Sequence, residues 1–256
     1  MMAYAVKTRT AKKDDNLVDL FLESIKAQGL ALENGDVIAI ASKIVALTEK
    51  RVVKLADVKP SPKAESLARK YCIQSELAEL ILQEAEKIYG GVEKAILTLK
   101  NCILTANAGI DNKNAPLTHV VLWPNNPARS AEKFKGEIKR KTGKSIAVLI
   151  VDSGLIPLRI GTVGLALAVA GFKPIKDHRG KKDIFGRQIV ITRHAVADDL
   201  ACVAHLMMGE AAEKTPFVLI RDACVELDDG VYDGEDMMMP SKDCLFIGTF
   251  LVEKHD

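Results

Sequence analysis

Three carboxylates and one hydroxyl stand where the sequence predicts that strands and helices end. Asp111 lies in a glycine-containing loop directly after a strand-like segment. Asp152 and Ser153 follow the most strand-like segment of the chain, and Glu210 comes near the end of an amphipathic segment. Mg²⁺ takes oxygen ligands, usually one or two carboxylates together with substrate phosphates. The pattern therefore predicts a metal–nucleotide site, and capping or turn roles are the alternative for each residue.

Other classes of active site have little support in the sequence. There is no Gly-x-Ser-x-Gly turn of the kind that presents a serine nucleophile. The five histidines lack the spacing of a zinc site, so we expect a structural or surface role for each. They are His119, His178, His194, His205 and His255.

The composition is that of an ordinary soluble globular protein. Of the 256 residues, 48% are hydrophobic and 27% charged, which excludes a disordered tail or a coiled coil. The net charge of +2 is too small to predict binding to nucleic acid. The uncharged stretch from Ile160 to Phe172 is shorter than the roughly 20 residues that a membrane span needs, and no secretory signal is evident. We therefore expect a cytoplasmic protein whose five scattered cysteines are reduced and mostly buried.

The predicted elements place the polar residues at strand and helix ends. Helices are predicted from Leu17 after a cap at Asp14 or Asp15, over 62–72, from about 75 to 88, from the Asn126-Pro127 cap to about 142, and over 195–212. Strands are predicted at 37–41, 95–99, 102–106, 118–122, 145–151, 189–192, 217–221 and 245–252, with a break at Gly90-Gly91. Helices and strands intermix without a regular βαβ alternation, which favours an α+β fold over a doubly wound α/β fold.

Several short segments occur in an order that is typical of one protein family. They are Gly35-Asp36-Val37, the run 41–45, Glu49-x-Arg51-Val52, the run 106–111 with Asn114, Val151-Asp152-Ser153 with Pro157 and Arg159, Gly161-Thr162-x-Gly164, 177–187, 195–198, Gly209-Glu210 and 216–221. Together they resemble the coenzyme F420-0:L-glutamate ligase family, the γ-glutamyl ligases of the deazaflavin coenzyme. The resemblance covers about residues 14–246.

The resemblance implies a specific activity and architecture. Members of the family couple GTP hydrolysis to amide bond formation between L-glutamate and a carboxylate acceptor, through an acyl phosphate. It implies two divalent ions, Mg²⁺ or Mn²⁺, at the nucleotide and an assisting K⁺. It also implies a homodimer and a single unit over 1–256 built of two intertwined α+β subdomains, with 60–145 separated from the rest.

The family's functional positions can be carried onto this chain residue by residue. By resemblance, Asp111 and Asp152 match the ligands of one metal, and Ser153 and Glu210 match those of the other. Nucleotide contacts are expected from Ser42, Lys43 and Asn114, and from the N-terminal stretch Thr8, Arg9 and Thr10. Arg159 is the catalytic candidate, because its fork could donate two hydrogen bonds to a phosphate or carboxylate, and an ordinary ion pair is its alternative role.

This chain departs from the family at three places near the expected substrates. Leu155-Ile156 stands where the family has Gly-Arg, Leu47 replaces a lysine, and the N-terminal stretch differs. Losing two cations should weaken the binding of a polyanion. Three hypotheses follow: the family's own reaction, a ligase that glutamylates another acceptor such as a folate, or a nucleotide-binding protein without ligase activity.

Overall fold

The computed structural model describes residues 1–252, so His255 lies outside the described residues. The strands are β1 (Met2–Val6), β2 (Val37–Ala41), β3 (Val52–Lys54), β4 (Lys87–Val92), β5 (Ala95–Lys100), β6 (Ile103–Ala106), β7 (His119–Val121), β8 (Ala147–Gly154), β9 (Val163–Phe172), β10 (Lys176–Asp177), β11 (Arg193–His194), β12 (Phe217–Arg221) and β13 (Leu227–Tyr232). The helices are α1 (Leu17–Ala27), α2 (Ser42–Thr48), α3 (Pro62–Tyr71), α4 (Ser75–Glu84), α5 (Pro127–Thr142), α6 (Val196–Met208), α7 (Gly234–Met237) and α8 (Leu245–Val252). This mixture confirms the predicted α+β class.

A six-stranded sheet forms the centre of the molecule, in the order β1-β12-β2-β8-β9-β13. Its inner strands alternate their side chains between two apolar layers. Ile40 and Ile150 pack with Phe21 of α1 and Phe134 of α5 on one face, whereas neighbouring residues of the same strands pack with α6 on the other. Because both faces are covered, these strands are almost continuously apolar in sequence.

The parallel pair β2 and β8 determines where the polar residues meet. Ala41 lies opposite Val151 in the register, so the residues that follow each of them reach the same edge of the sheet. Ser42 begins α2 there, and Asp152 and Ser153 are the next residues of β8. The C-terminal ends of parallel strands are where ligands bind in open α/β sheets.

A second layer is formed by residues 52–122. The antiparallel sheet β4-β5-β6 and the pair β3-β7 pack with α3 and α4 around their own apolar cluster, which includes Tyr71, Ile81 and Ile96. Helix α5, which also lies in the window 60–145, contacts β8 and β9 of the central sheet. The division into two intertwined subdomains stays a prediction.

Two predicted strands are wrong. Residues 245–252 form α8 instead, because the backbone N–H groups of Asp243 and Cys244 both bond the carbonyl of Pro240 and start a helical turn. Residues 189–192 are not a strand, and Val190 and Ile191 are 76% and 84% exposed. They lie in a looped segment beside residues 180–188, and sheet pairing begins only at β11.

Glycines and caps account for further corrections. The chain does not break at Gly90-Gly91 but continues as β4, where a Cβ on Gly91 would lie 2.4 Å from the Ala95 carbonyl oxygen. The cap of α1 is Asn16, not Asp14 or Asp15, because its side chain accepts the Asp19 N–H. The predicted helix from 75 ends at Glu84, and residues 87 and 88 belong to β4.

The cysteines are free, but they are not mostly buried. Cys72, Cys202 and Cys224 are exposed, and Cys102 and Cys244 are partly exposed. Within residues 1–252, no helix has both the length and the apolar character needed to cross a membrane.

Candidate active site

A cleft of about 620 Å³ opens where β2 and β8 end. It is lined by the predicted residues Thr8, Arg9, Thr10, Ser42, Lys43, Asp111, Asn114, Asp152, Ser153 and Glu210. These residues come from five separate parts of the chain, so only the folded structure brings them together. Of the predicted site residues, Arg159 alone does not line this cleft.

Asp111 is held by its backbone and by a neighbouring cation. Its N–H and carbonyl both pair with Val121 of β7, which anchors the loop that follows. The Lys43 Nζ donates to Asp111 Oδ2 at 2.7 Å and to the Lys113 carbonyl at 2.8 Å. The Lys43 ammonium group therefore forms an ion pair with the Asp111 carboxylate, at the position where a metal ion would bind that carboxylate.

Asp152 is a partly enclosed carboxylate with two donors. The Ser153 N–H donates to Asp152 Oδ1 at 2.8 Å, and the Trp123 Nε1–H donates to Asp152 Oδ2. Burial raises the pKa of Asp152 to about 6, although both hydrogen bonds and the Lys43 charge act in the opposite direction. A carboxylate in this environment carries a charge that a bound cation would stabilise. Strand β8 continues to Gly154, so Asp152 and Ser153 lie within it rather than after it.

Glu210 lies two residues beyond the end of α6. Its Oε1 accepts a hydrogen bond from Thr162 Oγ1 at 2.7 Å and lies 2.7 Å from His205 Nε2. Its Oε2 lies 3.5 Å from Lys113 Nζ. Burial raises the pKa of Glu210, but the two hydrogen bonds and the Lys113 charge outweigh burial and lower it below its ordinary value.

The expected nucleotide contacts line the same cleft. Ser42 is buried, 4% exposed, and the Thr8 N–H donates to the Lys214 carbonyl. The Asn114 Nδ2 donates to the Ala211 carbonyl at 2.7 Å, which ties the Asp111 loop to the segment after Glu210. Arg9 is engaged by both carboxylate oxygens of Asp15, at 2.6 and 2.9 Å.

Arg159 lies on an exposed loop that joins β8 and β9. Its N–H bonds the Ile156 carbonyl, and its guanidinium has no hydrogen bond or ion pair within residues 1–252. Leu155 and Ile156 on the same loop are 64% and 46% exposed. Leu47, in contrast, lines the cleft. Of the two positions where this chain lacks a cation of the family, only position 47 therefore lies in the cleft.

Sequence reasoning missed four residues that contact the predicted ones. The sequence assigned no role to Trp123, Lys113 or Thr162. A structural or surface role was expected for His205, but its side chain contacts Glu210. One signal was available: His205 stands five residues before Glu210, close to the predicted helix end. Trp123 is the single tryptophan of the chain, but its sequence position does not point to Asp152.

The donor set fits hard divalent cations. The carboxylates and the hydroxyl are oxygen donors, and ammonium groups now neutralise Asp111 and Glu210. Within residues 1–252, no three His, Cys, Asp or Glu side chains cluster as a metal site. Oxygen donors of this kind suit Mg²⁺, which commonly uses one or two carboxylates and completes its shell with phosphate and water.

Comparison with known proteins identifies a family. A family model described as F420-0:Gamma-glutamyl ligase matches residues 5–222. The coenzyme F420:L-glutamate ligase of Methanopyrus kandleri is 37% identical over 221 residues, 86% of each chain. The proteins of the same name from Methanocaldococcus jannaschii and Archaeoglobus fulgidus are 38% and 32% identical, over 84% and 82% of this chain and 86% and 82% of their own. The chain belongs to the F420-0:gamma-glutamyl ligase family.

Proposed function

We propose that this protein forms an amide bond between L-glutamate and the carboxylate of the coenzyme F420-0 precursor, driven by GTP. The observation that supports the proposal is the shared cleft, which gathers Asp111, Asp152, Ser153 and Glu210 beside Lys43. Family membership makes the chain an acid–amino-acid ligase. The nucleotide, the metals and the acceptor are the finer parts of the proposal.

Two divalent ions, Mg²⁺ or Mn²⁺, are proposed at the nucleotide. Asp111 and Asp152 would hold one ion, and Ser153 and Glu210 the other. When bound, such ions neutralise the negative charge of the transferring phosphoryl group. An assisting K⁺ is proposed on the resemblance alone.

The chain's own residues would position the reactants. The γ-phosphoryl group of GTP passes to the acceptor carboxylate, which yields an acyl phosphate and GDP. The amine of L-glutamate then attacks the carbonyl carbon, phosphate leaves, and the amine loses a proton. Lys43, once released from Asp111, is placed to donate to phosphate oxygens, and Ser42, Asn114 and Thr8 to Thr10 line the nucleotide's part of the cleft.

Arg159 is proposed as a donor to the acceptor carboxylate or to phosphate. It lies outside the cleft, so this role requires the loop 155–162 to approach the bound substrates. Arg159→Lys keeps the charge and removes the bidentate fork. We expect that change to raise the KM for the acceptor and to leave GTP binding unchanged.

The acceptor has a second candidate. Leu47 lines the cleft, and Leu155-Ile156 is apolar, where the family carries cations. Because these positions lack the family's cations, a different acceptor such as a folate is the alternative to the precursor. A nucleotide-binding protein without ligase activity is the third hypothesis.

We also propose a homodimer. Exposed apolar residues such as Leu158 and Ile184, which are 106% and 93% exposed, are consistent with it, and sedimentation velocity tests it.

Product mass and nucleotide hydrolysis test the reaction together. The purified protein is incubated with Mg²⁺ or Mn²⁺, L-glutamate and the deazaflavin precursor, and GTP is compared with ATP. We expect a mass gain of one glutamyl unit, lost in Asp152→Ala and kept in Asp198→Asn, whose carboxylate lies outside the cleft. Metal-dependent GTP binding without a mass gain would refute the precursor as acceptor, and a folate would be tested next. Absence of turnover with either acceptor would support the non-catalytic hypothesis.

A further inference from the structure

Trp123 is a buried residue whose one polar side-chain atom contacts Asp152, a residue that lines the cleft. Its side chain is 2% exposed and packs in the apolar cluster beneath the central sheet. Its Nε1–H is the only hydrogen-bond donor of the indole, and it donates to Asp152 Oδ2. The Ser153 N–H donates to the other oxygen. The two donors therefore define the orientation of the carboxylate.

The indole is itself held from several sides. A Cβ on Gly109 would lie 2.2 Å from the Trp123 Nε1 and Cε2 atoms, so the loop backbone lies directly against the ring. Lys100 Nζ lies 5.9 Å from the ring centroid, and Arg51 Nε donates to the Trp123 carbonyl at 3.0 Å. Glu84 joins these two cations, with Arg51 Nη2 at 2.7 Å. The donor is thus placed before any ligand binds.

The same short strand places Asp111 and Trp123. Val121 of β7 makes both backbone hydrogen bonds of the bridge to Asp111, and Trp123 follows two residues later. The position of β7 therefore fixes where the Asp111 backbone lies and, through Trp123, how the Asp152 carboxylate is oriented. Residues that orient a metal's ligands commonly control metal affinity.

We propose that Trp123 is a positioning residue that orients the Asp152 carboxylate toward a divalent cation. This inference rests on the proposed function, in which Asp152 is a metal ligand. Trp123 does not touch the ion or the substrates in this account. Its contribution is to prevent the carboxylate from rotating away, and to keep one acceptor position of Asp152 Oδ2 occupied by a fixed donor.

The test uses Trp123→Phe, which keeps an aromatic ring and removes the donor. Mn²⁺ binding to the full-length protein is measured from the resonance of free Mn²⁺, without nucleotide. We expect the Kd to rise about 10- to 100-fold, the usual effect of losing such a partner. Phe134→Leu is the matched control, because it removes an aromatic ring from the same apolar cluster outside the cleft, and its Kd should stay unchanged.

A double-mutant cycle separates positioning from general destabilisation. In an Asp152→Asn background the carboxylate is absent, so adding Trp123→Phe should leave the residual Mn²⁺ affinity unchanged. A second readout is the emission of the wild-type protein, since Trp123 is its only tryptophan. Paramagnetic Mn²⁺ should quench that emission with the same Kd.

Distinct results overturn the two proposals. If the wild type binds Mn²⁺ and ligates glutamate, and Trp123→Phe binds Mn²⁺ equally well, the positioning role is wrong and the proposed function stands. If Trp123→Phe weakens Mn²⁺ to the same extent with and without the Asp152 carboxylate, Trp123 is merely structural. If the wild type binds no Mn²⁺ either alone or with GTP, both proposals fail.

Discussion

Replacing Asp152 by Asn should stabilise the metal-free protein while weakening its response to metal. Burial raises the pKa of Asp152 to about 6 from an ordinary value of 3.8. The folded chain therefore binds this proton more tightly than the unfolded chain, and the group's unfavourable contribution grows as pH rises from about 4 to 6. Above pH 6 the contribution is complete, at about 3 kcal/mol.

The side-chain amide of Asp152→Asn carries no buried charge, but it has only one oxygen to accept hydrogen bonds from two N–H donors. Either the Trp123 N–H or the Ser153 N–H then faces an NH₂ group, which costs about 1 kcal/mol. The net expectation at pH 7.5 is a variant that is more stable than the wild type by about 2 kcal/mol. At pH 4.5 the folded wild type is protonated, and the difference should fall to about zero.

Urea unfolding in EDTA at both pH values measures this difference in unfolding free energy. The contributions of the other carboxylates cancel because both proteins contain them. Mn²⁺ at 100 times its Kd for the wild type should then stabilise the wild type by about 2.7 kcal/mol and stabilise Asp152→Asn by much less. Asp198→Asn should keep the Mn²⁺ response. The reasoning is refuted if the variant is less stable than the wild type at pH 7.5, or if the difference does not depend on pH.

Three further changes test neighbouring parts of the site. Gly109→Ala introduces a Cβ that collides with Trp123 at a φ of +71°, a conformation typical of glycine, and urea unfolding should show a loss of about 2 kcal/mol or more; an unchanged midpoint would contradict the close packing. Lys43→Gln removes the cation that occupies Asp111, so Mn²⁺ alone should bind more tightly by titration calorimetry. The same variant should bind GTP with Mn²⁺ about 10-fold more weakly, and parallel changes in both affinities would refute the assigned role. Glu84→Gln leaves the buried Lys100 and the half-buried Arg51 without their carboxylate partner and should cost about 3 kcal/mol of unfolding free energy, and a loss below 1 kcal/mol would show that water compensates them.

Local patterns in the sequence determined most of the elements. The Asn126-Pro127 cap and the apolar spacing that follows it predict α5, which begins at Pro127 and ends at Thr142 as expected. The apolar run before Asp152 predicts β8, and only its end is misplaced. Such features depend on hydrogen bonds and burial among residues close in sequence. The strand prediction for 245–252 is wrong because a short apolar run suits a helix as well as a strand, and the turn at Pro240 decides between them.

The identities of the candidate site residues also came from the sequence, but their contacts did not. Lys43 meets Asp111 across 68 positions, and Trp123 meets Asp152 across 29. These pairs exist because β2 and β8 align in parallel and β7 carries the second layer against them, a consequence of packing over the whole chain. The same packing leaves Arg159 on an exposed loop. Residue type thus indicated which chemistry is available, and the tertiary structure decided which side chains share a cleft, because contact between distant segments depends on the register and docking of the elements between them.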